Sequence, residues 1–422
     1  MTEIRHITAG DTRDLESFLA SAGRSLETFR YFSKRPLGIL RNHLVTMLAY
    51  HNGHPVAYGH LDKDSGTVWL GIAVAENAGG KGFGRRVMEE LIGFAITNGI
   101  EKVRLSVDRS NERAIALYRR YRFRPLKYED GITFFEWHRP RLYVSTLAFA
   151  GQDVRSIVET AEKSGFAIEF SSGMPYSPDL EQIYLSAGIP RIPHNYFPPP
   201  ADPFVINLAS GNERIRTRSV EHCKKGLGLA KAAGAGFFSA HAGFCIDPRP
   251  DQLGRPLDVN VAFDRQLHWK IFISSVGEVA DFAASEGMAF LVENNVTARF
   301  NLTSDNVNPL FCSDPEEMLR MLSTAGRDNL GLLLDTAHLK VSAATLGFDA
   351  DDACKKVANA VACVHHSDND GETDSNGPVG AGYWFLQHMH LYRNADHVLE
   401  VKARQGEGVS AQLDLLRKQL IK

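Results

Sequence analysis

Two rhythms of apolar and polar positions divide the chain. Up to about His138 the apolar runs are short and of mixed kind. "LVTMLAYHNGHPVAYGHLD" reads as two strands joined by a turn at Asn52-Gly53, a hairpin signal. "TVWLGIAV" predicts a third strand. "GFGRRVMEELIGFAITNG" predicts an amphipathic helix stopped by Asn98-Gly99. "KVRLSVD" is another strand, "NERAIALYRRY" another helix, and "ITFFEWH" closes the unit. The pattern predicts a mixed α/β domain over residues 1–138.

After Arg139-Pro140-Arg141 the rhythm becomes a regular alternation of strand and helix. The predicted strands are 142–150, 166–172, 191–197, 236–244, 289–295, 329–338, 359–368 and 397–402. Helical patterns such as "QDVRSIVETAEKSG" and "PEEMLRMLSTAG" separate them. Eight such units over about 280 residues match the length of a (β/α)8 TIM barrel. An open doubly wound sheet is the alternative, but its first strand would lack the Gly-rich fingerprint. The expected fold class is therefore α/β: a mixed domain over 1–138, then a barrel over 142–422.

Composition narrows the class. With 422 residues, two or more domains are expected. Hydrophobic content of 44% and charged content of 23% fit a globular protein. A net charge of -3 provides no general attraction to nucleic acid or anionic lipid. The five cysteines form no C-x-x-C pair, which favours a reducing, cytoplasmic setting over a disulfide framework. The first residues carry no apolar signal core, and no run of about 18 apolar residues suits a membrane span.

The first chemical signal is "IAVAENAGGKGFGRRVMEELI", a strand running through a Gly-rich turn into a helix. Glycines let a ligand approach the backbone closely, and the helix N-terminus favours an anion such as a pyrophosphate. One strand later comes "SVDRSNERAIALYRRYRFRP". Together these resemble the GNAT acetyltransferase superfamily, making the first domain GNAT-type. The family's loop reads Arg/Gln-x-x-Gly-x-Gly/Ala; here Gly79 stands at its first position. The resemblance implies acetyl-CoA held by Gly80, Lys81, Gly82, Phe83, Gly84 and Arg85, with the backbone of Val74 along the pantetheine arm. Asn111 matches the family's cofactor-binding Asn. Tyr118 matches its tyrosine that protonates the leaving thiolate. The base that deprotonates the amine is not identified. His60 is a candidate, an ordinary strand-end histidine being the plainer reading.

In the second half, metal-capable side chains recur unit by unit: His194, His241, Glu293, Asp335 with His338, His365 and Glu400. In a barrel, C-terminal strand ends converge on one mouth, where active sites form. Carboxylates inside apolar strands such as "LLLDTAH" and "HVLEVK" are costly unless paired or bound to metal. In "VACVHH" strand alternation turns the two histidines to opposite faces, and His365 is the expected ligand. The pattern resembles the xylose isomerase-like barrel superfamily, which holds sugar isomerases, epimerases and the endonuclease IV branch. It implies one Mn, Mg, Co or Zn ion on Glu293, Asp335, His365 and Glu400. Glu293 and Glu400 would also move protons, and His338 would touch substrate. Endonuclease IV's three-zinc pattern is matched by His194, His241 and Asp374. It is broken at Asn376, where a histidine is needed, and at Ala381, where an acid is needed. Asp368 and Asp374 are further candidates for contact with substrate or a second ion.

The expectation is a bifunctional enzyme. An N-acetyltransferase acting on an amino sugar or other small amine is fused to a divalent-metal-dependent sugar isomerase or epimerase. The alternatives are a zinc phosphodiesterase or hydrolase, and a non-catalytic metal-binding scaffold. Expected partners are small-molecule amines and carbohydrate-like substrates. No membrane is expected, the charge balance argues against nucleic acid, and a homo-oligomer is left open.

Overall fold

A computed structural model of the protein describes residues 2–33, 35–171, 174–252, 255–257 and 262–421. Residues 1, 172 and 422, which the expected domain and strand boundaries include, lie outside that set. The chain forms two compact units, Met1–Arg139 and Pro140–Lys422. No helix among the described residues is long and apolar enough to cross a membrane.

The first unit is built on a sheet of β1 (Thr2–His6), β2 (His43–His51), β3 (His54–Asp64), β4 (Thr67–Val74), β5 (Lys102–Asp108), β6 (Arg124–Glu129) and β7 (Ile132–His138). The strand order is β1-β2-β3-β4-β5-β7-β6. At the β2–β3 turn Asn52 and Gly53 both take positive φ, 51° and 79°, as a two-residue hairpin needs. Strands β1 and β6 are absent from the sequence reading. β6, "RPLKYE", is half to fully exposed along its length, so no apolar alternation marks it. The helix Phe83–Thr97 buries Phe83, Val87, Met88, Leu91, Ile92 and Ala95. β4 and β5 run parallel, with a described register of Trp69 beside Arg104 and no more, so the strands part beyond that point.

The second unit is a parallel barrel of eight strands: β8 (Leu142–Ser145), β9 (Ala167–Phe170), β10 (Arg191–Pro193), β11 (Phe237–His241), β12 (Ala289–Glu293), β13 (Leu330–Asp335), β14 (Val361–His366) and β15 (Asp396–Leu399). Their order, β10-β9-β8-β15-β14-β13-β12-β11, follows the chain around the ring. The seam between β10 and β11 is held by one isolated bridge, His194 with Ser239. Seven strands send an apolar side chain into one cluster: Tyr143, Ile192, Phe237, Leu291, Leu333, Cys363 and Val398. Strand side chains repeat their facing every two residues. The next inward layer is therefore Ser145, Glu169, His194, Ser239, Glu293, Asp335, His365 and Glu400. An apolar plug thus sits directly beneath a polar layer rich in carboxylates and imidazoles.

Several strands stop earlier than their apolar runs suggest. β8 ends at Ser145 because Thr146–Phe149 turns into a short 3-10 helix. β13 ends at Asp335, whose side chain accepts from the His338 N–H at 2.8 Å and starts the helix Thr336–Leu346. His338 is therefore in a helix's first turn, not at a strand end. The chain after β11 leaves the sheet at Gly243, where a Cβ would stand 2.4 Å from Ala209 Cβ and 2.8 Å from the Ala209 backbone nitrogen. Backbone cannot step aside as a flexible side chain can. Gly243→Ala is expected to destabilise the barrel by about 1–3 kcal/mol, read as a lower melting midpoint.

Candidate functional site

The polar layer is nearly dry. Glu169, Asp335 and His365 are fully buried, Glu293 is 1% exposed and Glu400 8%. Glu293, Asp335, His365 and Glu400 offer ligand atoms all within 4.8 Å of one another. His365 Nδ1 lies 2.8 Å from Glu400 Oε2 and 3.8 Å from both Glu293 Oε1 and Asp335 Oδ2. Its other nitrogen, Nε2, is 2.8 Å from Glu169 Oε2. Glu400 directly follows β15, its N–H donating to the His366 carbonyl at 3.0 Å.

A second group shares Glu293. His194 Nε2 and His241 Nδ1 approach its Oε2 to 3.1 and 3.2 Å. These are ion-pair distances without hydrogen-bond alignment, and both His241 Nδ1 and Glu293 Oε2 have no hydrogen-bond partner. His194 Nδ1 is 2.8 Å from the Ser239 hydroxyl. On its helix turn, His338 donates from Nδ1 to the Asn294 carbonyl at 2.9 Å, leaving Nε2 3.3 Å from Asp374 Oδ2.

Charge balance explains the titration of the cluster. Burial raises the Asp335 carboxyl to about 7, with Glu400, Asp374 and Glu293 adding to the shift and His338 opposing it. Burial also works to raise Glu293, but His241 and His194 overcome it and hold that carboxyl low. Burial opposes charge on His365, yet Glu169 and Glu400 carry it well above the ordinary histidine value. His241 has less carboxylate around it, and burial lowers it to about 4.

These residues fit a divalent cation. Glu169 Oε1, Glu293 Oε2, Asp335 Oδ2 and Asp374 Oδ1 are buried oxygens with no hydrogen-bond partner, whereas the large majority of buried polar atoms in proteins have one. Mixed carboxylate and imidazole donors suit Mn, Co, Fe or Zn. Of the sequence candidates, Asp368 is turned away from this cluster. Its carboxylate pairs with Lys340 Nζ at 2.7 Å, and its backbone pairs with Gly377. Asn376 takes a positive φ of 48°, a backbone state that Asn tolerates. His366 leaves the cluster on the opposite face, its Nε2 2.9 Å from His397 Nδ1. Glu169 was missed by the sequence reading, although "FAIEF" sets a carboxylate in an apolar strand as "HVLEVK" does.

In the first unit, β4 ends at Val74 and the chain enters the Gly79–Gly84 loop. Gly80 and Gly82 have φ of 81° and 83°, and Gly82 caps the helix Phe83–Thr97. Arg113 packs its guanidinium on the loop, with Nη atoms 3.0 Å from where a Cβ on Gly79 or Gly80 would stand. Lys81 Nζ donates to the Asn77 carbonyl at 3.1 Å, and Arg85 pairs with Glu89 at 2.8 Å. Asn111 caps the helix Glu112–Arg120 by accepting from the Ala114 N–H at 3.1 Å. Tyr118, on that helix, is buried near Phe123 and Phe135, and burial raises its hydroxyl pKa.

A parallel barrel with carboxylates and imidazoles gathered at the C-terminal ends of its strands defines the class of the larger unit. The chain belongs to the xylose isomerase-like TIM barrel family, which matches residues 128–419. Residues 10–123 match the acetyltransferase (GNAT) family, so a GNAT domain precedes the barrel. No curated protein sequence matches the chain. Among solved structures it is similar in fold to a D-tagatose 3-epimerase-like protein. The identity is 19% and the TM-score 0.51, over 66% of this chain and 97% of that one. D-Psicose 3-epimerase from Clostridium cellulolyticum H10 aligns at 18% identity and TM-score 0.46, over 66% and 99% of the two chains. An AP endonuclease, family 2, from Brucella melitensis aligns at 16% and 0.47, over 65% and 98%.

Proposed function

We propose that the chain is a bifunctional enzyme, an acetyl-CoA-dependent N-acetyltransferase joined to a divalent-metal-dependent isomerase or epimerase of carbohydrate-like hydroxy-carbonyl compounds. The observation that carries the barrel half is the dry four-residue cluster with unpartnered carboxylate oxygens. Glu293, Asp335, His365 and Glu400 would hold the ion, and Glu169 would orient His365 from behind. A bound divalent ion supplies electrophilic polarisation of a carbonyl and its neighbouring hydroxyl. Glu293 and Glu400 are the carboxylates that take and return a proton at the adjacent carbon. His338 and Asp374 contact the substrate's oxygens. In the first domain, the Gly80–Gly84 backbone holds the donor's pyrophosphate and Tyr118 supplies the proton to the departing thiolate.

A second reading, a zinc hydrolase or phosphodiesterase, is favoured by the His194–His241–Glu293 group, which could hold a further ion. Elemental analysis of the purified protein separates the two. About one divalent ion per chain is expected, with binding that releases protons from the ligands. Two or three zinc ions per chain would overturn the isomerase reading in favour of hydrolysis.

A further inference from the structure

Tyr31, His43, His60 and Asp62 form a polar cluster in the first unit, and it contains the histidine named above as a candidate base. Gly59 faces the helix Phe83–Thr97, where a Cβ on it would meet Val87 and Leu91. By alternation His60 and Asp62 lie on the other face of the sheet. Their same-face neighbour Tyr58 packs on Phe18, Phe29 and Phe32.

His60 on β3 stands opposite Gly71 on β4. A Cβ on Gly71 would lie 2.2 Å from His60 Cε1 and 2.7 Å from Nδ1. The missing side chain is what lets the imidazole lie across β4. Gly71 is two residues beyond Trp69, the last position where β4 and β5 are paired. The ring therefore lies over β4 just past its described pairing with β5.

Hydrogen bonds set the protons of the neighbours. Tyr31 donates its O–H to Asp62 Oδ2 at 2.7 Å. Its oxygen then accepts from His43 Nε2–H at 2.8 Å, and His43 Nδ1 accepts from the Thr46 hydroxyl at 2.7 Å. His60 is outside this network. It is 1% exposed, and its Nδ1 has no partner, nor has Asp62 Oδ1. His60 Nε2 is 3.9 Å from Asp62 Oδ1, beyond hydrogen-bond reach. Leaving a buried polar atom bare is costly. A bare carboxylate oxygen 3.9 Å from the imidazole Nε2 suits a donor-rich cation such as an ammonium. A metal ion suits them less. Ligand-capable atoms of His43, His60 and Asp62 do lie within 4.8 Å of one another, but both His43 nitrogens are already hydrogen-bonded, to Tyr31 and Thr46.

We infer that this cluster is the acceptor site of acetyl transfer, where Asp62 holds a primary ammonium and His60 Nε2, the ring nitrogen that faces Asp62, takes its proton. The inference rests on the acetyl-transfer reading above. Once one proton has passed to His60, the amine lone pair forms a C–N bond at the thioester carbonyl carbon. The C–S bond breaks and the sulfur leaves as thiol with a proton. The amide nitrogen sheds its surplus proton, and His60 releases its own to solvent, so the sum is amide, thiol and one proton. The groups facing His60 are His43 from β2, Tyr31 and Arg35 from the segment before β2, and Tyr58 and Asp62 from β3. Burial, then His43 and Arg35, hold His60 well below the ordinary histidine value, leaving it a free base at neutral pH.

The test uses the full chain with acetyl-CoA and a panel of primary amines including glucosamine and spermidine. For the amine that wild type uses best, kcat in His60→Gln is expected to fall by about a hundredfold or more. Acetyl-CoA affinity by calorimetry should be unchanged, and the loss should shrink as pH rises past the amine's own pKa. Asp62→Asn should raise the amine KM more than it lowers kcat. Unchanged kcat in His60→Gln overturns the base while leaving acetyl transfer intact. A loss equal at every pH, with weakened acetyl-CoA binding, overturns it in favour of a structural role. Wild type that binds acetyl-CoA but acetylates no amine of the panel overturns both readings together.

Discussion

Asp335→Asn is expected to leave the barrel folded and to empty its metal centre. The two oxygens of this carboxylate have separate duties. Oδ1 accepts from the His338 N–H and starts a helix, while Oδ2 is buried with no hydrogen-bond partner. Asn caps helices as well as Asp does, so the cap survives. An amide NH2 in place of Oδ2 has no lone pair to give an ion. Elemental analysis should find the metal lost from the variant at a melting temperature close to that of chelated wild type. Barrel turnover should drop at least about a thousandfold, the equivalent of several kcal/mol of electrophilic stabilisation. Wild type should also melt lower after chelation, since an ion present at 100 times its Kd adds about 2.7 kcal/mol to the folded state. Asp335→Asn should not respond to chelator. Full metal content in the variant would show that the ion, if any, sits elsewhere.

Glu169→Gln is expected to weaken metal binding by about 10–100-fold. Glu169 is not among the four residues proposed to hold the ion, but its Oε2 lies 2.8 Å from His365 Nε2. A carboxylate there fixes the proton on Nε2 and leaves Nδ1 to face Glu293, Asp335 and Glu400. Gln keeps the shape and removes the charge, so it still accepts a hydrogen bond but no longer raises the basicity of the ring. A competition titration with a chelating dye reads the affinity without any substrate. Affinity equal to wild type would make Glu169 a filler of the polar layer and nothing more.

Most of the barrel could be read from apolar runs, because a parallel strand covered on both faces needs near-continuous hydrophobic sequence. The errors lie at the strand ends. "LLLDTAH" continues apolar past Asp335, and nothing in its hydrophobicity says that the carboxylate caps a helix there. Placing His338 on that helix required the structure. Exposed β6 left no periodic trace. Glu169 was legible in principle, since a lone acid in "FAIEF" breaks the same rule as one in "HVLEVK", but it lies mid-sequence in a strand rather than at an obvious end. The partnership of His60 with Gly71 could not be read, because antiparallel register decides which residue of β4 lies opposite β3.

The seam between β10 and β11 has a further consequence. Sheets open first where pairing is thinnest, and here the thinnest pairing is the His194–Ser239 bridge. The same histidine reaches Glu293 at 3.1 Å. The barrel is thus fastened at its weakest line by a side chain that also faces the carboxylate cluster. A ligand that gripped His194 from inside would therefore act as a clasp on this seam, favouring its closed state.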